Sequence, residues 1–82
     1  MSIINTIEYL NSKTFVPHEN GNQSDYGLNT FGCDSIIQYN NKIWKFIWFI
    51  PGTNDAIYIN KENESLVFND SIKVNCTRMQ EV

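Results

Sequence analysis

The sequence predicts an α+β domain, a short N-terminal helix packed on an antiparallel β-meander of roughly four to five strands. Three observations carry that expectation. Ile3, Ile7 and Leu10, with Ile4 beside them, recur at helical spacing near the N-terminus. Lys42–Ile50 is the one long apolar run, aromatic and β-branched, bracketed by Asn40-Asn41 and Pro51-Gly52. From Ser35 onward, short runs of Ile, Val, Tyr and Phe alternate with clusters of Asn, Asp, Gly and Ser. The expected division of the single domain 1–82 is a helix over 2–12, a long polar loop over 17–34, a β-meander over 35–76 and a frayed tail over 77–82.

Ser2 is placed to cap the helix, and Lys13 stands near its negative pole. A helix of this length is marginal in water by itself, so its apolar stripe must dock on something, and the central strand offers a face. Its polar side lacks the basic residues of a helix that lies on a membrane.

Phe15, Val16 and Pro17 lead into the polar stretch, which is rich in Asn, Gly, Ser and acids with Tyr26, Leu28 and Phe31 dispersed in it. Loops longer than ~12–15 residues are uncommon in small domains and tend to be functional or disordered. A short edge strand around 26–30 is the structural alternative.

Ser35–Tyr39 reads as a strand, Asn40-Asn41 as a tight turn whose residues tolerate positive φ, and Lys42–Ile50 as the antiparallel partner. Strict alternation along that partner puts Trp44, Phe46, Trp48 and Ile50 on one face and Ile43, Lys45, Ile47 and Phe49 on the other. Neither face is polar, so both need cover. The helix can supply one side, leaving the aromatic face to the long loop, to curvature of the sheet or to another chain. After a loop at 51–55, Ala56–Asn60 returns as a strand, 61–65 turns, Leu66–Phe68 is a short strand, and Ile72–Cys76 alternates cleanly enough to be the last.

With 41% hydrophobic and 13% aromatic residues the chain is too apolar for disorder. Its formal net charge of −3 argues against a general phosphate-backbone binder. The imbalance is local: up to Asn40, Glu8, Glu19, Asp25 and Asp34 face Lys13 alone, whereas acids and bases balance thereafter. A basic leader with an apolar core is missing, and no apolar run approaches the ~20 residues of a membrane helix, so a cytoplasmic protein with Cys33 and Cys76 as free thiols is expected. The abundance of Asn and Ile suggests an A/T-rich coding genome.

No stretch carries a catalytic, metal or nucleotide signature. His18 and Cys33, the latter beside Asp34, sit at opposite ends of the polar loop, and a lone pair of this kind does not make a nucleophile with its base. The single His, the distant cysteines and the lack of calcium-loop spacing give no metal site, and no Gly-rich phosphate cradle is present; the expectation is a non-enzyme without cofactor.

What remains is recognition. Glu19, Asp25 and Asp34 form an acidic rim around Tyr26 and Phe31, a combination suited to a basic groove on a partner protein, and Trp44 and Trp48 are the residue type enriched in interface anchors. These seven are the candidate partner-binding residues. The expectation is an acidic interaction protein that inhibits by occluding a basic, nucleic-acid-handling site, as a phage or mobile-element inhibitor of host defence would. The alternatives are a homodimer assembled through the aromatic face and a single-stranded nucleic-acid binder. The second would need a positive groove beside its aromatics, which the balanced charges of the second half do not build.

Overall fold

The computed structural model describes residues 3–18 and 35–82. Helix α1 (Ile3–Ser12) leads to strand β1 (Phe15–Pro17), and β2 (Ile36–Tyr39), β3 (Lys42–Phe49), β4 (Ala56–Asn60) and β5 (Ser65–Phe68) follow as a meander. A one-turn helix α2 (Asp70–Lys73) and strand β6 (Thr77–Glu81) complete the chain. The α+β class holds, with a six-stranded sheet in the order β1-β6-β2-β3-β4-β5, every neighbouring pair antiparallel.

Local chemistry accounts for the meander. Asn40 and Asn41 both take positive φ (55° and 65°), as the two-residue turn between β2 and β3 requires. Between β3 and β4, Gly52 lies at φ 78°. Thr53 ties that loop, its Oγ1 donating to the Ile50 carbonyl (2.9 Å) and accepting from the Asp55 N–H (3.1 Å). Asn60 is buried and organises the turn into β5: its Oδ1 accepts from the N–H groups of Glu62 (3.0 Å) and Glu64 (2.9 Å), and its Nδ2 donates to the Glu64 carboxylate (2.8 Å).

Four sequence expectations are corrected. Ile72–Cys76 is not a strand. The Asn69 side chain accepts from the Ile72 N–H (3.1 Å) and caps α2, with Asp70 in its first turn and Lys73 in its last, a distribution that suits the helix dipole. Thr77–Glu81 does not fray: it is β6, inserted between β1 and β2. Phe15–Pro17, expected to lead into a loop, is an edge strand against β6, extended at its two ends by Val82 N–H to the Thr14 carbonyl (3.0 Å) and His18 N–H to the Arg78 carbonyl (2.9 Å). The α1 stripe is also rotated from the expected one. Thr6 and Leu10 are its buried residues, while Ile4 is 69% exposed.

Each face of the sheet is covered over part of its area, by a different device. Leu10 of α1 packs with Ile36 and Met79, and Tyr9, Phe15 and Ile43 close around them. On the other face Ile37, Trp44, Ala56, Tyr58 and Phe68 form the main core with Cys76 and Ile72. Topology forces that arrangement. β2, β3 and β4 stand between β5 and β6, so the connection carrying α2 has to cross the sheet, and it lays Ile72 and Cys76 over the aromatic face.

Candidate interaction surface

The surface is created by an irregularity in β3. Phe46 pairs with Tyr58 and Trp48 with Ile57, so three residues of β3 span two of β4 and Ile47 is the extra one. A one-residue slip reverses every side chain beyond it. Before the bulge, Trp44 and Phe46 share the core face with Tyr58; after it Phe49 does, opposite Ala56, with its ring edge-on to Phe46 at 5.0 Å. Trp48 is thereby turned to the opposite face.

The two tryptophans part company as a result. Trp44 is 6% exposed, and its indole Nε1 donates to the Tyr39 carbonyl (3.0 Å), so it is a core residue with its one polar atom satisfied. It is not available to a partner. Trp48 is 57% exposed. Cross-strand register places Ile57 beside it and Val67, 46% exposed, beside Ile57. Adjacent strands lie ~4.8 Å apart, so the three make one continuous apolar row about 10 Å long on β3, β4 and β5. The α1 cover lies over the Ile36–Met79 part of that face, and among the described residues nothing covers the row.

The neighbouring cross-strand row holds Lys45 beside Ile36 and Ile59. Its ammonium donates to the Ser35 hydroxyl (3.2 Å), and burial holds it below the ordinary lysine range. Ser35 also accepts from the Phe46 N–H through its carbonyl (2.8 Å). Ser35 therefore enters the sheet against Lys45 and Phe46, near the Trp48 end of β3.

Of the other expected site residues, Glu19, Asp25, Tyr26, Phe31 and Asp34 lie outside the described residues, as does Cys33. Their charge is nonetheless fixed by the sequence. Acids and bases are equal in number over residues 3–18 and 35–82, so the whole net charge of −3 is that of Glu19, Asp25 and Asp34. Asp34 precedes Ser35 directly, so the acidic stretch rejoins the sheet at the end that carries Trp48. No family model, curated protein or solved structure matches the chain.

Other features of the surface are less open to a ligand. A cleft of about 520 Å³ lies where Leu10, Phe15 and Ile43 meet the Asn41 and Lys61 turns, with Lys13 and Lys42 on its rim. Lys42 is held by Glu64 (2.5 Å) and Glu62 (3.9 Å), and Lys13 lies 3.8 Å from Glu81. The hydrogen bond to Glu64 raises the Lys42 pKa, and the same bond, with help from Asn60, lowers that of Glu64. Cys76 is buried, with its thiol donating to the Lys73 carbonyl at 3.5 Å. Among the described residues no three His, Cys, Asp or Glu side chains converge as metal ligands, and no helix is long and apolar enough to cross a membrane.

Trp48 was singled out by residue type, but Ile57 and Val67 were not. The Asn60 turn fixes the register that sets Val67 beside Ile57, but the pairing of Trp48 with Ile57 depends on the bulge in β3, for which the sequence carries no signal.

Proposed function

We propose that this chain is a non-enzymatic interaction protein that binds a basic, nucleic-acid-handling surface of a partner protein and inhibits the partner by occluding it. The observation that carries the reading is the uncovered row Trp48–Ile57–Val67, set at the end of the sheet where the acidic stretch rejoins it. Aromatic and aliphatic anchors supply affinity at such surfaces, and unbalanced charge steers encounter. Glu19, Asp25 and Asp34 do the steering in this scheme, with Tyr26 and Phe31 adding aromatic contact, and Trp48 is the anchor. An inhibitor of host defence carried by an A/T-rich phage or mobile element and acting in the cytoplasm has this character.

The test begins with affinity capture from host lysate by the wild-type chain, by Trp48→Ala and by the triple variant Glu19→Lys, Asp25→Lys, Asp34→Lys, followed by association kinetics with the captured protein across a salt series. Trp48→Ala should raise the off-rate, and the triple variant should slow association and flatten its salt dependence. Unchanged on-rates in the triple variant would remove the electrostatic part. A wild-type chain that captures nothing and instead dimerises with rising concentration would move the row to a homodimer contact.

A further inference from the structure

The two outer edges of the sheet are finished differently. In the β1–β6 ladder His18 N–H bonds Arg78 and Val82 N–H bonds Thr14, so by alternation Phe15 and Pro17 turn their backbone groups away from β6. Pro17 has no N–H, which leaves that edge poorly suited to further pairing. At the other end, the Asn60 N–H donates to the Glu64 carbonyl (3.1 Å), so Tyr58–Leu66 and Ala56–Phe68 are the bonded pairs of the β4–β5 ladder. Ser65 and Val67 therefore point their N–H and C=O groups outward. Among the described residues none of these four groups has a partner. β5 carries no proline and no charge to guard them.

We infer that β5 accepts an extended segment of the partner as an added antiparallel strand, an inference that rests on the proposed reading of a basic partner. The segment would bond Ser65 and Val67, and its residue opposite Val67 would point to the same face and lengthen the Trp48–Ile57–Val67 row by one apolar member. Charge selects the occupant. Acids flank both ends of β5, Glu62 and Glu64 in the turn before it and Asp70 at the start of α2 after it, so an antiparallel second copy would bring acidic end to acidic end twice over. A second copy is disfavoured, and a segment with Lys or Arg flanking its apolar centre fits.

The experiment follows amide hydrogen exchange of the whole chain by NMR while a short peptide of alternating valine and threonine, with lysines at both ends, is added. A counterpart ending in glutamates serves as the control. Saturating lysine peptide should slow exchange at Ser65 and Val67 by about tenfold or more while leaving the already bonded Leu66 and Phe68 unchanged. The glutamate peptide should leave all four unchanged. Val67→Pro removes the outward N–H together with the valine side chain and should abolish the slowing at Ser65; if it disturbs the fold, Val67→Lys, which places a guarding charge on the edge, makes the same test. No slowing at Ser65 and Val67, equal slowing by both peptides, or slowing produced by raising the protein concentration alone would overturn the inference. The last would make a second copy the occupant. Partner binding that depends on Trp48 but ignores Val67→Pro would remove the added strand and leave the proposed function standing. The lysine peptide slowing Ser65 and Val67 while the captured partner ignores Trp48→Ala would do the reverse.

Discussion

Trp44 and Trp48 are the same residue type, four positions apart in one strand, yet one closes the core and the other stands in solvent. Alternation alone would put them on the same face. The difference is one extra residue, Ile47, which turns the strand over between them. Residue type thus says little about whether a large aromatic group is core or contact. What decides is its phase relative to the bulge and which side the crossing segment, here the α2 connection, covers.

The largest expected effect breaks the buried half of this comparison. Trp44→Ala removes the indole from the cluster of Ile37, Tyr58 and Cys76 together with its hydrogen bond to the Tyr39 carbonyl, so denaturant unfolding should show a loss of about 3–5 kcal/mol. For a domain of this size that is enough to unfold much of the population. Trp48→Ala should stay within about 0.5 kcal/mol of wild type in the same assay. The cost falls on binding instead, where a loss of about 2 kcal/mol or more in partner affinity is expected.

Deleting Ile47 sharpens the comparison. With the extra residue gone, Phe46 opposite Tyr58 and Trp48 opposite Ile57 become consecutive, and plain alternation then yields the faces that the bulge now produces. The deletion variant should fold with a loss of about 1 kcal/mol from the half-buried Ile47 side chain and keep Trp48 open to solvent, as read by unfolding and indole emission. A blue-shifted, protected Trp48 would show that the register had been set some other way.

Two smaller effects concern the parts that hold the framework around the row. Glu64 is bonded to Lys42 and Asn60, which lowers its pKa below the unfolded value, so its contribution is present above the unfolded pKa and is lost as pH falls through the folded one. Glu64→Gln should flatten the acid limb of the stability profile, as pH-dependent unfolding will show. Tyr9, which helps keep α1 over the Met79 side of the sheet and away from Trp48, donates to the Glu81 carboxylate at 2.6 Å. That bond, with burial and the Glu81 charge, pushes its pKa up to about 12. The raised value means the stabilisation is complete below the unfolded tyrosine pKa and disappears as pH rises through about 12. Glu81→Gln should bring the phenolate absorbance titration of Tyr9 back toward the ordinary value.

Much of the fold was legible in the sequence, and the reasons for the rest are physical. β2 to β5 were marked by turn residues whose conformations are local, Asn40-Asn41 most plainly. β1 and β6 were not, because each is a strand only by pairing with a segment far away in sequence. Ile72–Cys76 alternates like a strand and was misread, although Asn69-Asp70 before it is a helix-start signal that alternation outweighed. Of the surface, Trp48 was visible but its face was not, since nothing in Phe46-Ile47-Trp48 announces a bulge. Glu19, Asp25, Tyr26, Phe31 and Asp34 are known here by their chemistry and their point of attachment alone.

The most direct test of the account is acrylamide quenching of indole fluorescence in two single-tryptophan chains, Trp44→Phe, which reports Trp48, and Trp48→Phe, which reports Trp44. Trp48 should be quenched several-fold more readily than Trp44, which should be shielded and blue-shifted. Equal shielding of the two would mean that they share the covered face, and the open row with everything built on it would be wrong.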